Sequence, residues 1–445
     1  MTEREGPRRV ADARDGLLFT SSIPGLAPRV AGAIPGPRSQ ELARSLRRSE
    51  SPNITFVGGA FPIFWKRASG CRVEDVDGNV YLDFTSAFGV AGVGHTHPDV
   101  VAAIQAQSAD LIHGMGDVHP SEIKVRLLDR IASRVPIPDA QVILGQNGSD
   151  AVEAALKTAR LATGKRGILA FHGGYHGLSY GALEATSRQD FREPFHDQLG
   201  AFASHLPYGC PMAEIAEVLG SGNIGAVLVE PIQGRGGIQV PPPGWLSLLA
   251  QTCREHGALL ILDEIFTGWG RTGRWFACEY DGIVPDILCI GKAMGGGMPI
   301  SACVASSRII SAWGESRGEA LHTSTFLGNP LSCAAALAAI GVLERDRLPD
   351  RAAAMGAILS TELERLVQEF RAHLHSVRGR GLMIGLQFHQ ASTALEIVDM
   401  ALTQGVILLP AGDGSVIEFI PPLIVTNEEV SSVMTILSHC LKSIS

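Results

Sequence analysis

Lysine is the scarcest charged residue in this 445-residue sequence. Only six occur (Lys66, Lys124, Lys157, Lys165, Lys292 and Lys442) among 37 basic residues, the other 31 being arginine. Lysine and arginine exchange cheaply on a solvated surface, so most of this deficit is compositional. It also makes a lysine in an unusual setting conspicuous. Charge is scarce altogether: 18% of the residues are charged, against roughly 25% in average soluble proteins. A large core or a large subunit interface accounts for such a shortfall. Positive charge is not in excess either. A formal net charge of −8 argues against a nucleic-acid or membrane-surface binder, which needs a basic face. No apolar run approaches the ~18 residues of a transmembrane helix. The opening MTEREGPRRVADARDG lacks the apolar stretch of a signal peptide. Eight scattered cysteines form no CxxC pair; they read as buried free thiols in a reducing cytoplasm.

What is present is an alternation. Residues 1–50 carry Pro, Gly and Arg punctuation, with IPGLAPRVAGAIPGP at 23–37, and read as an extended arm followed by a short helix in SQELARSLRRSE. The turn Asp77-Gly78-Asn79 between CRVEDV and VYLDF is a hairpin signal. From about 98 to 340, short apolar runs (QVILG, GILAF, AVLVE, ALLILDE, DILCIG) alternate with helical segments such as DAVEAALKTARLAT. That pattern predicts a mostly parallel sheet covered on both faces. The last hundred residues mix helices with short strands and predict a smaller α+β lobe that packs with the N-terminal part. The length favours more than one lobe. The division expected is 1–85 for the arm and part of the small domain, 86–340 for a large cofactor-binding domain, and 341–445 for the rest of the small domain.

Four of the runs end in residues that carry chemistry, and in open α/β sheets ligands bind beyond the carboxyl ends of the strands. After QVILG, Gly148 and Ser149 open a helix whose bare amides suit a phosphate; simple capping is the competing explanation. After GILAF, Tyr175 and His176 follow a Gly-Gly turn, where an aromatic ring can stack on a flat cofactor or merely pack. Asp263 ends ALLILD, where a carboxylate is costly unless paired, with a protonated ring nitrogen or with an arginine. Lys292 follows DILCIG and precedes three glycines. A lysine in a low-dielectric setting becomes a nucleophilic amine; the alternative is a strand-end lysine reaching solvent. Together the four ask for a phosphate, a flat ring, a protonated ring nitrogen and an aldehyde, which is pyridoxal phosphate.

The ordered set DEIFTGWGRTG, GKAMGGGMPIS, HTSTFLGNPLSCAAAL and VRGRGLMIG resembles the class III (ω-type) aminotransferases, fold type I pyridoxal-phosphate enzymes, from about residue 60 onward. The resemblance implies a seven-stranded sheet sandwiched by helices and a homodimer with shared active sites. It implies that Lys292 forms the Schiff base and that Asp263 pairs with the pyridine nitrogen. Gly148 and Ser149 would bind the phosphate, Tyr175 and Phe266 would face the ring from either side, and His176 and Glu230 would complete the cofactor contacts. Thr325 would reach the phosphate of the neighbouring subunit. The expected function is ping-pong transfer of an amino group from an amine or amino acid to a keto acid or aldehyde.

Two positions depart from that family. Relatives often carry arginine in R-x-x-P-P-L and glutamate in EPIQGE; here the phrases are EFIPPL and EPIQGR, so Glu418 and Arg235 stand in a charge-reversed arrangement. Either Arg235 pairs with Glu418 and swings to bind carboxylates, or Glu418 repels α-carboxylates and favours amines. A third explanation leaves Arg235 solvated and Glu418 a surface strand residue. The same glutamate, and the phrase GSDA at Gly148–Ala151, resemble amino-acid and amino-lactam racemases, so racemisation is the alternative function; a non-catalytic scaffold is disfavoured by Lys292, Asp263 and Thr325. Trp65 and Phe88 are candidate substrate contacts beside Phe61, Phe64 and Phe84. His95 and His97 in GHTHP lack a third metal ligand and read as a structural turn, and Asp286 and Arg378 as structural residues.

Overall fold

The computed structural model describes residues 27–444 together with Ile23 and Gly25. The rest of the expected N-terminal arm lies outside the described residues. The predicted short helix is Pro37–Ser49, opened by a proline whose missing N–H has no partner to lose at a helix start. Three antiparallel strands follow: β1 (Trp65–Ser69), β2 (Arg72–Asp75) and β3 (Val80–Asp83). The expected turn joins β2 to β3. Asp75 Oδ1 closes it by accepting from the N–H groups of Asp77 (2.9 Å) and Asn79 (2.8 Å).

The central sheet has seven strands: β4 (Ala140–Gly145), β5 (Gly167–Phe171), β6 (Ala203–Leu206), β7 (Ile224–Val229), β8 (Leu259–Asp263), β9 (Ile287–Ile290) and β10 (Ser301–Ser306). Their spatial order is β4-β10-β9-β8-β7-β5-β6. β5 to β9 pair in parallel, whereas β10 is antiparallel to both of its neighbours. Side chains alternate between two cores. Leu169, Phe171, Val227, Val229, Leu260 and Leu262 enter one, and Ile168, Ala170, Ala226, Leu228 and Ile261 enter the other. This is why the predicted strands read as unbroken apolar runs. β6 and β10 (ASHL and SACVAS) are interrupted by polar residues, and the run pattern does not single them out.

The C-terminal strands are β11 (Leu374–Arg380), β12 (Met383–Phe388), β13 (Val406–Ile407), β14 (Leu409–Ala411) and β15 (Val416–Phe419). Four of them form a sheet in the order β11-β12-β15-β14. β13 leaves it to pair in parallel with β3, so N- and C-terminal segments share a sheet, as expected. Among the described residues no helix is long and apolar enough to cross a membrane.

Immediately after β3 the backbone is strained. Ser86, Ala87 and Phe88 take successive φ values of 47°, 48° and 61°, and Gly89 follows at 80°. Left-handed backbone costs a non-glycine residue roughly 1–2 kcal/mol, so tertiary contacts must hold this turn in place.

Candidate active site

β5, β7, β8 and β9 all end on one side of the sheet, and a polar residue lies just beyond or at each end. With the start of the helix Gly148–Thr163 they enclose a cavity of about 550 Å³, lined by Gly148, Ser149, Tyr175, His176, Glu230, Arg235, Asp263, Phe266 and Lys292 among others. All nine were candidates from sequence.

Lys292 lies beyond β9 in a left-handed conformation (φ 47°). Its Nζ sits 3.3 Å from the centroid of the Phe266 ring, a cation–π distance when the amine is charged. Burial pushes the amine down to about 8, against the opposing negative charges of Glu418, Glu230 and Asp263 and with help from Arg235. A lysine held below its unfolded value of about 10.4 disfavours the folded state at neutral pH. The penalty is full below pH 8 and fades as pH rises towards the unfolded value. Cofactor-free Lys292→Met is therefore expected to melt above the cofactor-free wild type at pH 7, with the difference in Tm shrinking at alkaline pH.

Asp263 closes β8. Its Oδ1 accepts from the N–H of Ile265 at 3.1 Å, and its Oδ2 lies 2.8 Å from His176 Nδ1. Burial disfavours the charged imidazole, but the hydrogen bond to Asp263 and its charge outweigh burial and raise the His176 pKa. His176 thus supports the carboxylate from behind. Glu230, just after β7, accepts from the N–H of Tyr175 (3.0 Å) through Oε1 and of Gly234 (2.9 Å) through Oε2. Burial lifts its pKa to about 7.

At the other end of the cavity, Asn147 caps the helix by accepting from the Asp150 N–H at 3.1 Å. The amides of Gly148 and Ser149 find no acceptor among the described residues. Ser149 Oγ accepts from the Leu178 N–H at 3.1 Å. Gly177 (φ 121°) makes room for that hydroxyl, because a Cβ there would collide with it. Two unpartnered amides and a hydroxyl at the N-terminus of a 16-residue helix are a cradle for a phosphate-sized anion. A carboxylate backed by His176 and a buried amine lie in the same cavity, so the residues fit pyridoxal phosphate. The Phe266 ring fills a slot between Gly89 and Gly234; a Cβ on either glycine would collide with it.

The substrate candidates are placed differently. Arg235 is exposed, with its guanidinium 5.1 Å from the Tyr175 ring centroid and 5.7 Å from that of Phe88. Glu418 is buried in β15 opposite Gly385 and Leu409. No contact ion pair joins the two, and the Glu418 side chain makes no hydrogen bond among the described residues. Burial lifts Glu418 to about 7, opposed first by Lys292 and then by Arg235 and Arg271. The expected pair is thus a coupling through space, and Glu418 is neither a surface residue nor part of the cavity lining. Phe88 is exposed and does not itself line the cavity; it borders the mouth through Arg235, which does. Trp65 is not brought to the cavity: β1 leaves it exposed, its ring edge-on to His95 at 5.6 Å. Thr325 is exposed and does not line the cavity of its own chain, although Ser324 Oγ beside it accepts from Gln146 Nε2 at 2.9 Å.

The remaining candidates have structural partners. His95 Nε2 lies 2.8 Å from Asp83 Oδ2, and His97 Nδ1 accepts from the Asp99 N–H at a helix start. Asp286 Oδ2 accepts from the Leu260 N–H at 2.8 Å, and Arg378 donates to the Gly237 carbonyl. No metal-binding cluster occurs among the described residues. Sequence reasoning missed the wall Gly297–Ile300, Val90 and Ile265. The three glycines after Lys292 were the available signal for that wall; Val90 and Ile265 carry none.

The profile of the family described as aminotransferase class-III matches residues 57–441. The acetylornithine aminotransferase of Methanosarcina acetivorans is 38% identical over 395 residues, covering 89% of this chain and 96% of that protein. The enzyme of the same name from Methanopyrus kandleri is 37% identical, over 86% and 95%. Among solved structures, the ornithine aminotransferase of Toxoplasma gondii ME49 superposes with a TM-score of 0.85 at 30% identity, covering 91% of this chain and 95% of that one. A PLP-bound amine transaminase from an uncultivated Pseudomonas species gives 0.83 at 30% identity, covering 89% and 99%.

Proposed function

The chain belongs to the class-III aminotransferases, and from that premise we propose how its residues divide the work and which donors it takes. It is a pyridoxal-phosphate-dependent aminotransferase. When bound, pyridoxal phosphate supplies an aldehyde for amines and an electron sink for the charge left at Cα. Gly148 and Ser149 would hold its phosphate, and Tyr175 and Phe266 would face its ring. Asp263, steadied by His176, would keep the ring nitrogen protonated. Lys292 would anchor the group and, once displaced by substrate, carry the proton off Cα as base and return it as acid. Its low pKa keeps a useful fraction of the amine neutral near pH 7. Glu230 orders the Tyr175 and Gly234 backbone beside it.

The donor we propose is a terminal amine whose carboxylate, if present, is remote from the reacting carbon. One observation carries this. Among the described residues that line the cavity, the cation free to meet a carboxylate is Arg235, at the mouth on two aromatic rings, while Glu418 lies buried near Lys292. The names of the acetylornithine and ornithine enzymes fit such a donor. Arg235→Ala is expected to raise KM for 2-oxoglutarate by about 10- to 100-fold, the worth of a charged hydrogen bond. Half-reaction rates with an uncharged-tail amine should stay within twofold. Unchanged kinetics with 2-oxoglutarate and pyruvate would remove Arg235 from this role. Incubating one enantiomer of a chiral amino acid without acceptor tests racemisation: the opposite enantiomer should not appear.

We also propose a homodimer in which the partner subunit's Thr325 completes the phosphate site. Leu111, Ile112, Met115, Val118 and Phe326 are each more than 40% exposed, an apolar area that a second copy would cover. The division at residues 85 and 340 goes with this proposal. All eight cysteines are buried and free, which supports a cytoplasmic setting.

A further inference from the structure

The strained turn after β3 is held by a buried carboxylate that the chemistry described so far does not use. Asp83 is fully buried. Its Oδ1 accepts from the N–H (2.8 Å) and hydroxyl (2.6 Å) of Thr85. Its Oδ2 accepts from the Ala87 N–H (3.1 Å) and lies 2.8 Å from His95 Nε2. One side chain therefore caps the entrance of the left-handed segment and bonds a residue inside it.

The far side of the turn is clamped as well. Ser86 Oγ donates to the Ile420 carbonyl at 2.5 Å and accepts from Arg271 Nη2 at 3.3 Å. The Ile420 N–H donates to the Phe84 carbonyl at 2.7 Å. Arg271 is itself buried and held by the Leu382 and Pro421 carbonyls. The turn is thus tied to the segment that follows β15 and Glu418.

What this clamp positions faces the active site. Phe88, an aromatic residue at φ 61°, puts its ring beside the Arg235 guanidinium. Gly89 backs directly onto the Phe266 ring, over which the Lys292 amine lies. A bulky side chain in left-handed backbone is a genuine outlier. Such strain persists only where the surroundings over-determine it, and it clusters at functional sites.

We propose that Asp83 is a positioning residue for the donor pocket: by holding residues 86–89 left-handed it fixes Phe88 at the rim, and so sets how long a donor the pocket accepts. This rests on the view that Phe88 borders the donor subsite. The test separates the two ideas. The holoenzyme is assayed for kcat/KM with n-propylamine and with n-octylamine, using pyruvate as acceptor. Asp83→Asn keeps the shape but removes the charge. Ala87→Gly removes the left-handed cost without deleting a hydrogen bond, so the turn depends less on Asp83, and Asp83→Asn combined with Ala87→Gly folds even if Asp83→Asn alone does not.

Asp83→Asn is expected to shift the octylamine-to-propylamine ratio by about tenfold, in the range of small pocket changes, whereas Ala87→Gly should leave the ratio within about twofold by itself and shrink the Asp83→Asn shift to about threefold in the double variant. Phe88→Ala should shift the ratio by itself. In the Phe88→Ala background Asp83→Asn should add no more than about twofold, as expected when residues act through one another. A ratio left unmoved by Phe88→Ala would overturn the donor-subsite view and the proposal with it. A ratio moved by Phe88→Ala but not by Asp83→Asn, alone or with Ala87→Gly, or shifts that add in full, would overturn the positioning role alone.

Discussion

Lys292→Ala is expected to lower turnover by about four orders of magnitude or more, because one residue both anchors the cofactor and moves the Cα proton. The structure gives three reasons why no neighbour substitutes. The amine stands 3.3 Å over the Phe266 ring, just beyond the end of β9. It is the one buried lysine of the cavity lining. The other cation there, Arg235, is at the mouth and cannot act as a base near neutral pH. The variant should fold, since it removes a buried amine rather than a core contact. The visible absorption of the lysine-bound cofactor should disappear, and an added small primary amine should restore part of the activity. Retained turnover within tenfold of wild type would show that another group does this work.

Asp263→Asn is expected to cost about a thousandfold in turnover, the upper end for losing one preorganised electrostatic partner. Asparagine retains an acceptor for the Ile265 N–H but lacks the charge that holds a proton on the ring nitrogen. His176 reports the same change independently. Its pKa is raised because the Asp263 hydrogen bond and charge outweigh burial. With the charge gone, burial acts unopposed except by Glu230, and the His176 pKa should fall below its ordinary value. Proton titration of the imidazole by NMR in the two proteins checks this. The change in turnover and the change in titration should come together; a lost turnover with an unmoved His176 would show that Asp263 is not what raises the His176 pKa.

Much of the site was legible because its parts are local. A glycine-serine turn, an aromatic-histidine pair, an aspartate and a lysine each follow a run of apolar residues, and a strand end is visible within a few residues of sequence. The strands β5, β7, β8 and β9 were equally plain, since burial on both faces leaves an unbroken apolar run. β6 and β10 were not, because polar residues interrupt them. Trp65 looked like a pocket residue by its company of aromatics, yet β1 turns it outward against His95.

The sequence by itself determined the class of chemistry: a lysine, a carboxylate and a phosphate turn at the ends of strands that alternate with helices. It also singled out the charges at 235 and 418, an arginine and a glutamate in the two phrases EPIQGR and EFIPPL. Only the tertiary structure decided where those charges sit, leaving Arg235 on aromatic rings and Glu418 buried without an ion pair. It alone joined His176 to Asp263 across 87 residues and Ser86 to Ile420 across 334. The physical reason is the range of the information. Burial and strand composition are imposed residue by residue along the chain, whereas a hydrogen bond between distant segments, or a left-handed turn held by one, depends on packing that no short stretch of sequence encodes.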